Sequence, residues 1–250
     1  MSNYSQFSER LIAALELSAP PVAVTFSDQV VANHSAPIEP VAAGCKFWEQ
    51  AMTQALATTA ADHANCAIGI HTHNLKGAPE SQPTELEDTL AAMRGLDYVR
   101  PDEVAAIPVM PTSTNYVYYT PLAECSESPA AVLLFANAQQ GLIVTEAIAR
   151  VDGEHPASLG RPACAVIPQV VSQGRSAASL GCCGARAYID TLDSGATLWA
   201  LAGDKLAECV DEIEILAKAN QVLSKFHELR QGAIASGATP SVAETLSKLS

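Results

Sequence analysis

Asn115-Tyr116-Val117-Tyr118-Tyr119-Thr120 is the stretch on which the fold turns. Its β-branched and aromatic residues alternate as a pleated strand requires. Working outward, Val104–Val109 and Ala131–Phe135 read as further strands, and Val22-Ala23-Val24-Thr25-Phe26 as an earlier one. Ala196–Ala202 adds a late strand. Helical spacing appears between them. Phe7, Leu11 and Leu15 recur every four residues, which predicts a helix over Ser5–Leu17, stopped by Pro20 and Pro21. Gly44-Cys45 opens a second helix carrying Trp48, Met52 and Leu56, and Thr84 caps a third that runs towards Arg94. Ala138–Arg150 is helical, and Pro162 starts a segment that Pro168 kinks or ends. The strongest pattern runs from Lys205 to about Gln231, with Asp204 as N-cap and Gly232 as stop. Strands and helices mix without a regular βαβ rhythm. The expected class is α+β, with a mixed or antiparallel sheet, flanking helices and a long C-terminal helix. Residues 1–232 form one domain in this reading, and 233–250 a polar tail or accessory helix.

Composition narrows the function classes. The chain has 250 residues, and a chain near this length buries roughly 70–75% of its unfolded surface. Aromatics make up 5%, so aliphatic residues must fill the core. A formal charge of −13 without any Lys/Arg run argues against nucleic acid. The first ten residues carry neither a basic nor an apolar export region, and no run of about 18 apolar residues occurs. A cytoplasmic protein off the membrane is the expectation. The charged fraction of 16% and the Ala-rich helices leave room for a homo-oligomer.

Seven cysteines then need a role: Cys45, Cys66, Cys125, Cys164, Cys182, Cys183 and Cys209. In a reducing compartment, thiols in glycine-bearing loops are more often metal ligands or redox groups than disulfides. Cys209 falls in the apolar stripe of the long helix and reads as core. Cys125, between Glu124 and Glu127, reads as a packing or surface thiol. Cys45 follows Gly44 at a helix start, where a thiolate is favoured. Cys66 sits in a break between periodic segments, and Cys164 follows Gly160-Arg161-Pro162. Cys182 and Cys183 lie in Ser179-Leu180-Gly181-Cys182-Cys183-Gly184-Ala185-Arg186, where the glycines let backbone approach a bound group. Arg161 and Arg186 offer positive charge to nearby thiolates. No CxxC, CxxCH or compact ferredoxin run occurs.

These residues, in this order, resemble the uncharacterised ArCR family, also called domain of unknown function 169. Pro21-Val22-Ala23-Val24, Cys45, Cys66 with Gly69, Gly160-Arg161-Pro162-Ala163-Cys164 and the Ser179–Arg186 stretch followed by Tyr188 carry the resemblance, over about residues 10–220. It implies that Cys45, Cys66, Cys164 and Cys182 are the thiols that matter, with Cys183, Cys125 and Cys209 as extras. His71-Thr72-His73 departs from the apolar segment expected after Gly69. Four thiols are the number a four-iron four-sulfur cluster needs, and thiolate sulfur suits such a cluster.

The leading expectation is therefore a cluster on Cys45, Cys66, Cys164 and Cys182, with Gly181, Cys183, Gly184 and Arg186 around it. A redox partner protein or small molecule would serve it. A haem or small-molecule module is the alternative, using His71 and His73, which share a face if that segment is a strand. A metal-free cysteine nucleophile, pairing Cys45 or Cys182 with His63 or His71, is a third reading. No phosphate loop, dinucleotide fingerprint or GxSxG stands against any of them.

Overall fold

The structure is a computed structural model that describes residues 3–37, 39–189 and 195–249. Seven strands form one sheet: β1 (Val22–Ser27), β2 (Leu56–Thr58), β3 (Tyr116–Pro121), β4 (Ala131–Ala136), β5 (Ala157–Leu159), β6 (Ala177–Ser179) and β7 (Thr197–Ala202). Their spatial order is β2-β3-β1-β4-β7-β6-β5. Every pair is antiparallel except β5–β6. The alternating stretch is β3, registered on β1 with Val24 opposite Tyr119. This is the α+β class expected from the sequence, with a mixed sheet and a long C-terminal helix.

The sheet divides two apolar layers. Ala23, Val132, Leu134, Trp199 and Leu201 face one side. There they meet α1 (Asn3–Leu15), α6 (Ala138–Asp152) and α9 (Leu206–Ala235). Val22, Val24, Val117, Tyr119, Leu133 and Ala200 face the other side. They pack on α2 (Lys46–Gln50), on α3 (Ala67–His73) and on α7 (Val166–Gln173). A strand covered on both faces has no reason to alternate, so β4 reads as the unbroken apolar run Ala-Val-Leu-Leu-Phe-Ala and is buried throughout. Asn137 and Gln140 close a capping box at the start of α6. On the outer face, Arg10 reaches Asp211 and Glu214 and fastens α1 to α9.

Several expected elements differ. Residues 104–109 are not a strand. Pro101-Asp102-Glu103 starts the helix α5 (Pro101–Ala105), with Pro at a first-turn position and acids beside it. The helix after Cys45 is short, and Leu56 belongs to β2 instead. The helix near Arg94 is α4 (Gln82–Gly95), which holds Thr84 inside its first turn and not at its cap. Pro168 occupies the first turn of α7, where its missing N–H breaks no intrahelical bond. Asp204 lies in a 3-10 turn ahead of α9, and α9 continues through Gly232 to Ala235. A five-residue helix, α10 (Val242–Leu246), follows it. Among the described residues, no helix is long and apolar enough to cross a membrane.

Candidate functional site: a cavity walled by four thiols

The site lies on the sheet face opposite α9. Each of its four thiols stands where a helical segment begins. Cys45 precedes α2, and Cys66 precedes α3. Cys164 sits in the 3-10 turn Ala163–Ala165 that leads into α7. Cys182 precedes α8 (Cys183–Tyr188). Cys66 and Cys182 have non-helical backbone there, whereas Cys45 and Cys164 already follow a helical path. All four line one cavity of about 220 Å³, together with Gly44, Gly69, His73 and Tyr98. Thr89, Leu90 and Met93 of α4 form its outer wall. A single water needs roughly 10–15 Å³ of such space, so this volume fits a group of atoms and not one ion.

The thiols are in electrical contact. Burial pushes the Cys45 thiol up to about 12, with Cys182 and Cys66 adding repulsion. Burial also raises Cys164 well above its ordinary value, followed by the influence of Cys66. The expectation that a helix start would favour a Cys45 thiolate is therefore reversed. Five residues of α2 cannot offset the loss of water around a side chain only 7% exposed. The Thr72 hydroxyl lies 3.3 Å from the Cys164 sulfur.

His71 and His73 do not share a face. They lie on α3, not on a strand, and two residues along a helix point to nearly opposite sides. His71 is half-buried, and burial lowers its pKa. His73 is 2% exposed and lines the cavity. Its Nδ1 lies 2.9 Å from the Gly69 carbonyl oxygen, so Nδ1 carries the proton and donates. Its Nε2 then accepts from the Tyr119 hydroxyl at 3.2 Å. Burial lowers the His73 pKa to about 4, and the ring is neutral at pH 7.

His63, read from the sequence as a possible partner for Cys45 or Cys182, makes its hydrogen bond to Thr58 instead. It is fully buried behind the cavity wall. The Thr58 hydroxyl gives its proton to the Val117 carbonyl at 3.1 Å, so it can only accept from His63 Nε2 at 3.2 Å. That leaves His63 Nδ1 as a bare lone pair with no hydrogen-bond partner among the described residues. The ring fits because two residues lack a Cβ. On Gly44 a Cβ would stand 2.6 Å from Nδ1, and on Gly69 it would stand 3.1 Å from both Nδ1 and Cys66 Sγ. Burial, then His73, lowers the His63 pKa to about 3.

The remaining candidates separate. Gly184 lines the cavity near Cys182. Cys183 is exposed at its mouth, with its backbone N–H donating to the Tyr98 hydroxyl at 3.2 Å. Gly181 has φ +93°, which lets the chain turn into Cys182, but it lines an adjoining outer cleft. Arg186 clips this loop by donating from Nε to the Leu180 carbonyl at 3.0 Å. Arg161 lies on the Tyr98 ring, its guanidinium carbon 4.5 Å from the centroid. Cys209 and Cys125 are buried in the opposite layer, away from the cavity. Tyr98 and Thr72 gave no sequence signal of their own, since a lone tyrosine or threonine carries no spacing; α4 was expected as a helix but not as a wall of the site.

Among the described residues, no three or more His, Cys, Asp or Glu side chains form a group that could hold a metal ion. The thiols surround a volume and do not meet at a point. A family model described as uncharacterised ArCR matches residues 10–211. No curated protein and no solved structure matches the chain.

Proposed function

The chain belongs to the uncharacterised ArCR family, and from the thiol-walled cavity we propose that it holds an iron–sulfur cluster, of the four-iron four-sulfur type, on Cys45, Cys66, Cys164 and Cys182. One observation carries the reading. Four cysteines scattered from residue 45 to residue 182 line the same cavity of about 220 Å³. A lone metal ion requires its ligands to converge. A cluster brings iron and sulfide of its own, so its thiolates stand apart around it. Burial disfavours thiolate at Cys45 and Cys164 in the metal-free chain, and bound iron would reverse that preference by taking the place of the thiol protons. Tyr119, His73 and Thr72 would orient and polarise the cysteine side of the site.

The chemistry such a group supplies is one-electron transfer, so the role is redox or electron transfer, with a partner protein or small molecule as the other party. A reducing, cytoplasmic setting belongs to the same proposal and accords with seven unpaired cysteines. Haem is less well supported, because both His73 nitrogens are engaged and His71 points elsewhere. A thiolate–imidazolium pair with His63 lacks its hydrogen bond, because Nδ1 has no partner among the described residues.

The test is iron, acid-labile sulfide and zinc analysis with an absorption spectrum, on full-length protein purified without oxygen. Iron and sulfide in equal amounts, lost in Cys45→Ser, Cys66→Ser, Cys164→Ser and Cys182→Ser but kept in Cys209→Ser, is the expected result. Full iron in all four ligand variants, or a colourless wild type that takes up none on reconstitution, overturns it.

A further inference from the structure

A second cavity, about 400 Å³, lies against the outer side of the thiol cavity. Tyr98, Val99, Ile107, Arg161 and Pro162 face both spaces. The partition between them is therefore one side chain thick. Val99, Ile107, Pro108 and Leu159 make most of the outer lining apolar, and its ionisable groups are Arg161, Glu103 and Tyr98.

Arg161 is held in position without being used up. Its guanidinium lies over the Tyr98 ring at 4.5 Å, which fixes the plane and leaves the N–H edge available. Its Nη2 stands 3.4 and 3.5 Å from the two Glu103 oxygens. A charge-assisted N–H···O bond is normally about 2.7–2.9 Å, so this contact is loose. Glu103 does not depend on it. Its carboxylate accepts the Arg100 backbone N–H at 2.8 Å and closes the cap of α5. An incoming carboxylate can take Arg161 without stranding Glu103. The nearby Glu103 charge and the net −13 of the chain disfavour a dianion.

We propose that this cleft binds a small monocarboxylate with an apolar body, its carboxylate on Arg161 and its carbon chain along Val99, Ile107 and Leu159. That places an organic acid across Tyr98 from the thiol cavity. Binding to Arg161 does not rest on the cluster reading.

Isothermal titration of full-length protein with butyrate, and with butyramide as the uncharged counterpart, tests it. Saturable butyrate binding without butyramide binding is expected. Arg161→Gln weakens it about tenfold or more, the range of one lost charge-assisted bond. Glu103→Gln tightens it by removing the competing carboxylate. No saturable butyrate binding, equal binding of butyramide, or unchanged affinity in Arg161→Gln overturns the proposal. Iron and sulfide are assayed in the same preparations. Arg161-dependent butyrate binding by a protein that takes up no cluster retains the cleft and refutes the cluster, and the reverse result does the opposite.

Discussion

Replacing Gly44 by alanine probes the glycine cradle with the smallest available perturbation. The new methyl would lie 2.6 Å from His63 Nδ1 and 2.8 Å from Cε1, well inside van der Waals contact. The ring has little room to retreat. Phe47 packs edge-on at 4.8 Å between centroids, His73 lies at 5.8 Å, and Nε2 is tied to Thr58. Overpacking of this kind costs about 1–3 kcal/mol, and losing the Thr58 bond adds about 1 kcal/mol. A loss of about 2–4 kcal/mol is expected, a fall of several degrees in Tm for a chain of this length. Gly184→Ala is the internal control. Its methyl would meet Ala43 Cβ at 3.9 Å and Cys182 Sγ at 4.0 Å, ordinary contacts, and inside α8 alanine is favoured over glycine. Thermal and urea unfolding of metal-free protein should show Gly44→Ala destabilised and Gly184→Ala unchanged or slightly stabilised. In a His63→Ala background, Gly44→Ala should cost nothing further. If Gly44→Ala matched wild type, or kept its full cost without the imidazole, the placement of His63 would be wrong.

Three other outcomes follow from the same groups. His63 and His73 have pKa values depressed to about 3 and about 4, from an ordinary 6.5. The unfolded chain therefore binds protons first, and the stability these rings confer is complete above about pH 6.5 and lost as pH falls towards 4 and 3; urea midpoints across that window should decline less steeply in His73→Gln. Cys45 and Cys209 move the other way, from 9.0 up to about 12. Stability of the metal-free protein should be intact below pH 9 and fall above it; iron-loaded protein should lose the Cys45 and Cys164 parts of that slope, and Cys209→Ala a further part. Tyr119→Phe leaves His73 Nε2 a buried acceptor without its donor and should cost about 1–3 kcal/mol in urea unfolding while leaving far-ultraviolet circular dichroism unchanged.

How far the sequence carries can be seen residue by residue. The alternation of Tyr116–Tyr119 and the apolar runs at 22–26 and 131–135 located the three adjacent strands at the heart of the sheet, because side-chain period and burial agree there. The stripe from Leu206 to Ala217 placed α9 for the same reason. β5 and β6 escaped notice, since three residues are too few to display a period. At 71–73 a period of two was read where the chain is helical. Seven residues of α3 give barely two turns, and Asn74 ends it in the left-handed region. The glycines near Cys45, Cys66 and Cys182 marked thiols that line one cavity, because close packing around a buried group demands missing side chains. The lone pair of His63 was not legible, because it depends on where the Thr58 proton goes across a strand pair.

The dispersal of the four thiols also sets an order of events during synthesis. Cys45 and Cys66 leave the ribosome long before Cys164 and Cys182, and β7, which joins β4 to β6, comes later still. No nascent fragment presents the four-walled cavity. A short local cysteine motif can capture its metal while the rest of the chain is still being made. Here the four thiol-bearing walls come together only after the sheet has closed.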